Sequence, residues 1–308
     1  MYIEQIKTKN YNYTLHLLLY LIVFVGFAGL MLINYVTTSG TNTEDLIHGM
    51  IEQYGTNVTF VMMVLPLSIF CLGLLFWVKF LHGQSIRSLT TARKKVDWSR
   101  IFFAFFLWGS ITTILTVAAY YASPEDFVIN FELKPFLTFL VLAIILIPLQ
   151  TSFEEFLFRG YLMQGIGVFT GSRLIPFVVT SVLFGLMHIA NPEVGKLGMT
   201  IMIYYIGTGF FLGLITLMDD GLELALGFHA ANNLVGALLV TADWTAFQTN
   251  SIFKDISEPS AGFDVILPVF IVFPILTFIF AKKYKWTDWN QKLFGKLQQT
   301  TEIEEIGV

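Results

Sequence analysis

The chain has 308 residues, 55% of them hydrophobic and 13% charged, with a formal net charge of −4. A mean hydropathy of +0.69 excludes an ordinary soluble domain of this length and leaves a polytopic membrane protein. Bases and acids are nearly balanced and form no basic stripe, which argues against nucleic acid as a partner. The absence of a P-loop argues against nucleotide.

Apolar stretches suited to helices fall near Thr14 to Val36, Val58 to Leu81, Ile101 to Ala122, Pro135 to Gln150, Leu174 to Ala190, Leu197 to Met218, Leu222 to Val240 and Phe263 to Ala281. The expected fold is therefore an all-α transmembrane bundle of about eight spans. Residues 1–130 would hold three spans, 131–245 a core, and 246–308 the last span with a basic, then acidic, tail. The stretch Thr37 to Thr56 reads as an external loop, and the tail after Trp286 equally as a helix on the membrane surface or a disordered segment before the acidic run Thr300 to Glu305. Cys71 is the single cysteine, so no intrachain disulfide and no cysteine-based zinc site can form. It reads as a small buried hydrophobe. Lys7 and Lys9, the loop from Arg87 to Arg100, and the lysines from Lys282 to Lys296 put both termini on the cytoplasmic side of a cell membrane. Gly209 and Gly213 form a GxxxG pair, which signals close helix packing.

Polar residues interrupt three of these stretches. Glu154, Glu155 and Arg159 follow the fourth; Phe184 and His188 lie in the fifth; His229 and Asn233 lie in the seventh. A charge at bilayer depth costs on the order of 3 kcal/mol on insertion scales, so each needs a partner, water or a function. Residues four apart share a helix face, so Glu155 and Arg159 can pair while Glu154 points about 100° away and stays free. A free carboxylate there suits a general base that takes a proton from water and returns it to a leaving amine. The plain alternative is that the charges mark the end of the fourth span. His188 and His229 can hold water or a metal, and the Asn233 amide can donate to a developing oxyanion. Phe184, one turn before His188, lines the same wall or is ordinary core.

The ordered motifs EExxxR, FxxxH and HxxxN, over about Gln150 to Gly236, resemble those of the CAAX protease and bacteriocin-processing family, which includes type II CAAX prenyl endopeptidases. The resemblance implies an intramembrane endopeptidase with a cavity open to the cytoplasm, membrane lipid around it, and a peptide or membrane-protein substrate. It implies Glu154 as catalytic base, Glu155 and Arg159 as the pair that positions it, His188 and His229 as holders of the water or intermediate, and Asn233 as oxyanion donor. A metal-free mechanism is expected, with zinc on Glu154, His188 and His229 as the alternative. The substrate is left open among a prenylated-type protein, a signal or pheromone peptide, a bacteriocin leader and an anti-sigma-type membrane protein. Two rival classes are a non-catalytic scaffold or immunity protein that keeps these residues as a polar network, and a proton-coupled carrier. For Glu154 and His188 to meet, either the helix that starts near Pro135 runs on through Tyr161, tilted, or the fifth span is broken or only partly inserted; a helix longer than the apolar run is expected.

Overall fold

The computed structural model describes residues 1–6, 13–38 and 42–297. In chain order the helices are α1 (Tyr13–Thr38), α2 (Thr43–Tyr54), α3 (Thr56–Phe80), α4 (Ile86–Thr90) and α5 (Trp98–Ala122). A strand β1 (Phe127–Ile129) precedes α6 (Leu133–Glu155), α7 (Met163–Thr170), α8 (Leu174–Leu186), α9 (Pro192–Leu197), α10 (Ile201–Asp219) and α11 (Glu223–Leu239). Strands β2 (Val240–Ala242) and β3 (Phe253–Asp255) then lead to α12 (Phe263–Leu267), α13 (Phe273–Tyr284) and α14 (Trp289–Phe294).

The result is an all-α polytopic bundle. Among the described residues five helices are long and apolar enough to cross a membrane, and Thr14–Leu30 and Leu174–Leu186 are shorter apolar helices. Every apolar stretch read from the sequence is helical, and α11 holds the seventh. α6 runs through a π-helical turn, Phe156–Leu162, into α7 to make one apolar helix of 38 residues, Leu133–Thr170. At 1.5 Å per residue that is on the order of 57 Å, far more than a hydrocarbon core of about 30 Å requires. The expected continuation past Tyr161 is therefore real, and Glu154 stands inside the bundle. Pro66 and Pro148 lie within α3 and α6 without ending them.

Two tight crossings hold the core. A Cβ on Gly209 would come 2.3 Å from the Ser181 carbonyl oxygen, and one on Gly227 would come 2.0 Å from that of Ile101. α10 thus lies directly on α8, as the GxxxG pair implied, and α11 on α5.

The loops gather at two opposite ends. At one end the strands form a sheet in the order β1-β3-β2, antiparallel then parallel, and the Asn57 amide donates to the Pro135 carbonyl. At the other, Arg93 binds Asp219 and Glu223, Arg100 binds Asp97 and Asp219, and Lys292 binds Asp220. The spanning helices run between these ends.

Three sequence expectations change. The external loop Thr37 to Thr56 contains α2, whose N-terminus is capped by Asn42 accepting the Glu44 N–H at 3.1 Å. Short strands join the helices, because β1 finds partners far along the chain. The tail helix α14 docks on the protein through buried Leu293 and the Lys292 ion pair rather than lying free. The acidic run Thr300 to Glu305, with Lys7 and Lys9, lies outside the described residues.

Candidate active site

Glu154 and Glu155 end α6 at the point where the helix widens into its π turn, a distortion common at functional sites. Their carboxylates diverge. Arg159 Nη1 donates to Glu155 Oε1 at 2.9 Å, and its Nη2 donates to the Gly209 carbonyl at 3.0 Å. Glu155 and Arg159 are both 0% exposed. Such a pair is costly to desolvate, and removing one member strands the other, typically at about 3–5 kcal/mol.

His229 on α11 closes the site. Its Nδ1 lies 2.8 Å from Glu155 Oε1, and its Nε2 lies 3.6 Å from Glu154 Oε2. Glu155 Oε1 already accepts from Arg159, so in the neutral ring Nδ1 carries the proton and Nε2 is left as an acceptor. Glu154 is 3% exposed, and its Oε2 has no hydrogen-bond partner. Two acceptors, Glu154 Oε2 and His229 Nε2, therefore face each other at a spacing that one water molecule, donating to both, could bridge.

The other Glu154 oxygen is held. Gln150 Nε2 donates to Glu154 Oε1, while Gln150 Oε1 accepts from Asn233 Nδ2 at 3.2 Å. Asn232 Nδ2 donates to Asn233 Oδ1 at 3.1 Å, and Trp108 Nε1 donates to Asn232 Oδ1 at 3.1 Å. An indole can only donate and a carboxylate can only accept, so this chain has one direction and orients every amide in it. The Asn233 NH2 group is thereby turned toward Gln150. Gln150, Asn232 and Trp108 were not singled out from the sequence; the signal for Gln150 was its place one turn before Glu154 on the same helix face.

Phe184 holds the pieces together. The Arg159 guanidinium lies 4.2 Å from its ring centroid, His229 meets it edge-on at 5.7 Å, and His188 lies 5.1 Å away. His188 sits in the turn after α8, its Nδ1 2.9 Å from the Phe184 carbonyl oxygen and its ring stacked on Tyr205 at 4.4 Å. The zinc set considered above is not assembled: among the described residues no group of three His, Cys, Asp or Glu is disposed to hold a metal ion.

A cavity of about 920 Å³ adjoins this cluster. Gln150, Glu154, His188 and Asn233 form its polar wall, and Phe27, Leu67, Phe70 and Phe153 are part of its apolar one. Trp77 and Leu157 also line it, and behind them the buried Tyr161 hydroxyl accepts from Trp77 and is 2.8 Å from His82 Nε2.

Residues 133–235 match the family model described as "Type II CAAX prenyl endopeptidase Rce1-like". The matched residues make up about a third of the chain. Every site residue named from the sequence lies among them, as do Gln150 and Asn232, whereas Trp108 and the apolar wall from α1 and α3 lie outside. The chain is also similar to the uncharacterized protein YyaK of Bacillus subtilis (strain 168), 31% identical over 185 residues. That match covers 60% of this chain and 60% of YyaK. No solved structure matches. With five helices long and apolar enough to cross a membrane among the described residues, and its similarity to that family model, the chain is a membrane protein.

Proposed function

We propose that this protein is an intramembrane endopeptidase that hydrolyses a peptide bond of a membrane-associated polypeptide by glutamate-activated water. The observation that carries the reading is the unpartnered, buried Glu154 Oε2 facing His229 Nε2 on the wall of an apolar cavity. A water donating one hydrogen to each acceptor has its lone pairs free for the scissile carbonyl. Glu154 takes one proton as the water oxygen bonds to the carbonyl carbon; Asn233 donates to the oxygen on which charge develops. The C–N bond then breaks, and Glu154 returns its proton to the departing amine nitrogen. Glu155 and Arg159 act through His229 by fixing its tautomer and ring plane. His188 borders the cavity on the far side of Phe184 and is assigned to contact with the substrate or intermediate. Both termini are assigned to the cytoplasm, because the lysines and arginines of the chain collect at the end that holds Tyr2 and α14.

The test is cleavage of prenylated and membrane-tethered peptides by purified protein in liposomes. Glu154→Gln and His229→Ala, each folded, are expected to lower kcat by at least about 10²-fold, the scale set by loss of a general base, and a chelator is expected to have no effect. Cleavage that survives Glu154→Gln would overturn the mechanism.

A further inference from the structure

The cavity has a direction in the membrane. Glu193, Asn191, Ala246 and Phe247 line it beyond His188. Glu193 Oε1 accepts the Ala246 N–H at 2.9 Å, which joins the start of α9 to the turn after β2. Nearby, Lys196 pairs with Glu44 of α2, Thr43 Oγ1 donates to the Ala190 carbonyl, and Lys254 of β3 pairs with Asp243. This rim is therefore at the sheet end of the bundle.

The opposite end is where the cations are. Arg87, Arg93 and Arg100 lie between α3 and the first turn of α5, and Lys282, Lys285 and Lys292 lie at the end of α13 and in α14. The described lysines and arginines at the sheet end are Lys134, Lys196 and Lys254, set among Glu44, Asp45, Glu125, Asp126 and Glu132. By the charge bias that orients membrane proteins, the sheet end is extracytoplasmic. Toward the basic end the last residues that line the cavity are Leu74, Trp77 and Leu157, and Tyr161, His82 and Tyr20, all buried and packed ring on ring, lie behind Trp77. Its flank is less closed, because Gly26 and Leu30 of α1 and Pro66 and Phe70 of α3 line it and are exposed.

We infer that the site takes its polypeptide from the extracytoplasmic face, with an apolar anchor entering between α1 and α3 and the scissile segment arriving over the Asn191, Glu193 and Ala246 rim. This rests on the endopeptidase reading and narrows its substrate class to membrane-anchored polypeptides whose cleavable segment lies outside the cytoplasm. It departs from the cytoplasm-open cavity that the family resemblance implied.

The test uses impermeant-maleimide labelling of the full chain in a Cys71→Ala background, where no native thiol remains. Asn191→Cys and Ala246→Cys are expected to react in sealed right-side-out vesicles, and Lys285→Cys only in inside-out ones. Rim cysteines that react only in inside-out vesicles, on the same face as Lys285→Cys, or in neither orientation, would overturn the inference. Labelling needs no cleavage. Rim labelling from outside in a protein that cuts no peptide would leave the access face standing and remove the endopeptidase reading.

Discussion

On the endopeptidase reading the amide chain from Trp108 to Glu154 positions the base, and its directionality makes that testable residue by residue. Gln150 is 3% exposed and touches both the candidate base and the candidate oxyanion donor. Gln150→Met keeps the volume and removes both hydrogen bonds. It is expected to lower kcat about tenfold, or about 1.4 kcal/mol, with KM within twofold, because the loss falls on transition-state geometry and not on the apolar wall. Trp108→Phe removes a single N–H two amides further away and should produce a smaller fall in the same parameter. Steady-state kinetics in liposomes on whichever probe the wild type cleaves would decide it; a change confined to KM would mean that Gln150 shapes the cavity rather than the base. The motif residues were legible in the sequence because ionic groups in apolar runs are expensive and so conspicuous. Gln150 and Asn232 were not, since a neutral amide beside a charged motif carries no comparable cost to announce it.

Whole elements were legible where composition alone decides them. The long apolar runs became helices, and the continuation of α6 past Tyr161 followed from the need to bring Glu154 and His188 to one cavity. α2 was missed because its mixed, acidic sequence resembles a loop until Asn42 caps it, and the sheet was missed because β1 pairs with a strand more than a hundred residues away. The helix crossings give a sharp contrast in mutability. Gly209→Ala drives a methyl into the Ser181 carbonyl and shifts the acceptor of Arg159, so it should cost about 1–3 kcal/mol as overpacking does. Gly29→Ala on α1 meets nothing within 4 Å and should be neutral. Thermal unfolding in detergent compares them, and equal effects would contradict the close α8 to α10 crossing. α1 is tied to the bundle near His82, where His16 Nε2 lies 3.2 Å from the His82 carbonyl oxygen and the Tyr161 hydroxyl donates to the Leu19 carbonyl. Burial first, and then the neighbouring His16, push the His82 imidazole down to about 4. The unfolded chain, titrating near 6.5, binds more protons between these values. Stability should therefore fall as pH drops from about 6.5 toward 4. His82→Gln should flatten that slope in the same unfolding assay, and an unchanged slope would assign it to other groups.

At the scale of the whole molecule, the charge of the cavity limits what it can accept. Glu154 and Glu193 are the ionisable acids of its lining, and no lysine or arginine is among the described residues that form it; Arg159 lies behind the wall, consumed by Glu155. Glu193 also has a buried oxygen, Oε2, without a partner. A true CAAX substrate brings a free C-terminal carboxylate close to its scissile bond, and two like charges about 4 Å apart at an effective dielectric of 20 repel by about 4 kcal/mol before relaxation. A lysine or arginine at that position would gain instead. Among membrane-anchored peptides of equal length, those with a basic residue on the leaving side should therefore be cut at higher kcat/KM than those ending in a free carboxylate, by about tenfold or more. Glu193→Gln should narrow that ratio mainly through KM, since the charge lies on the rim and not at the reacting atoms. A ratio that the substitution leaves unchanged would mean that Glu193 merely ties Ala246 in place, and that selectivity arises elsewhere on the wall.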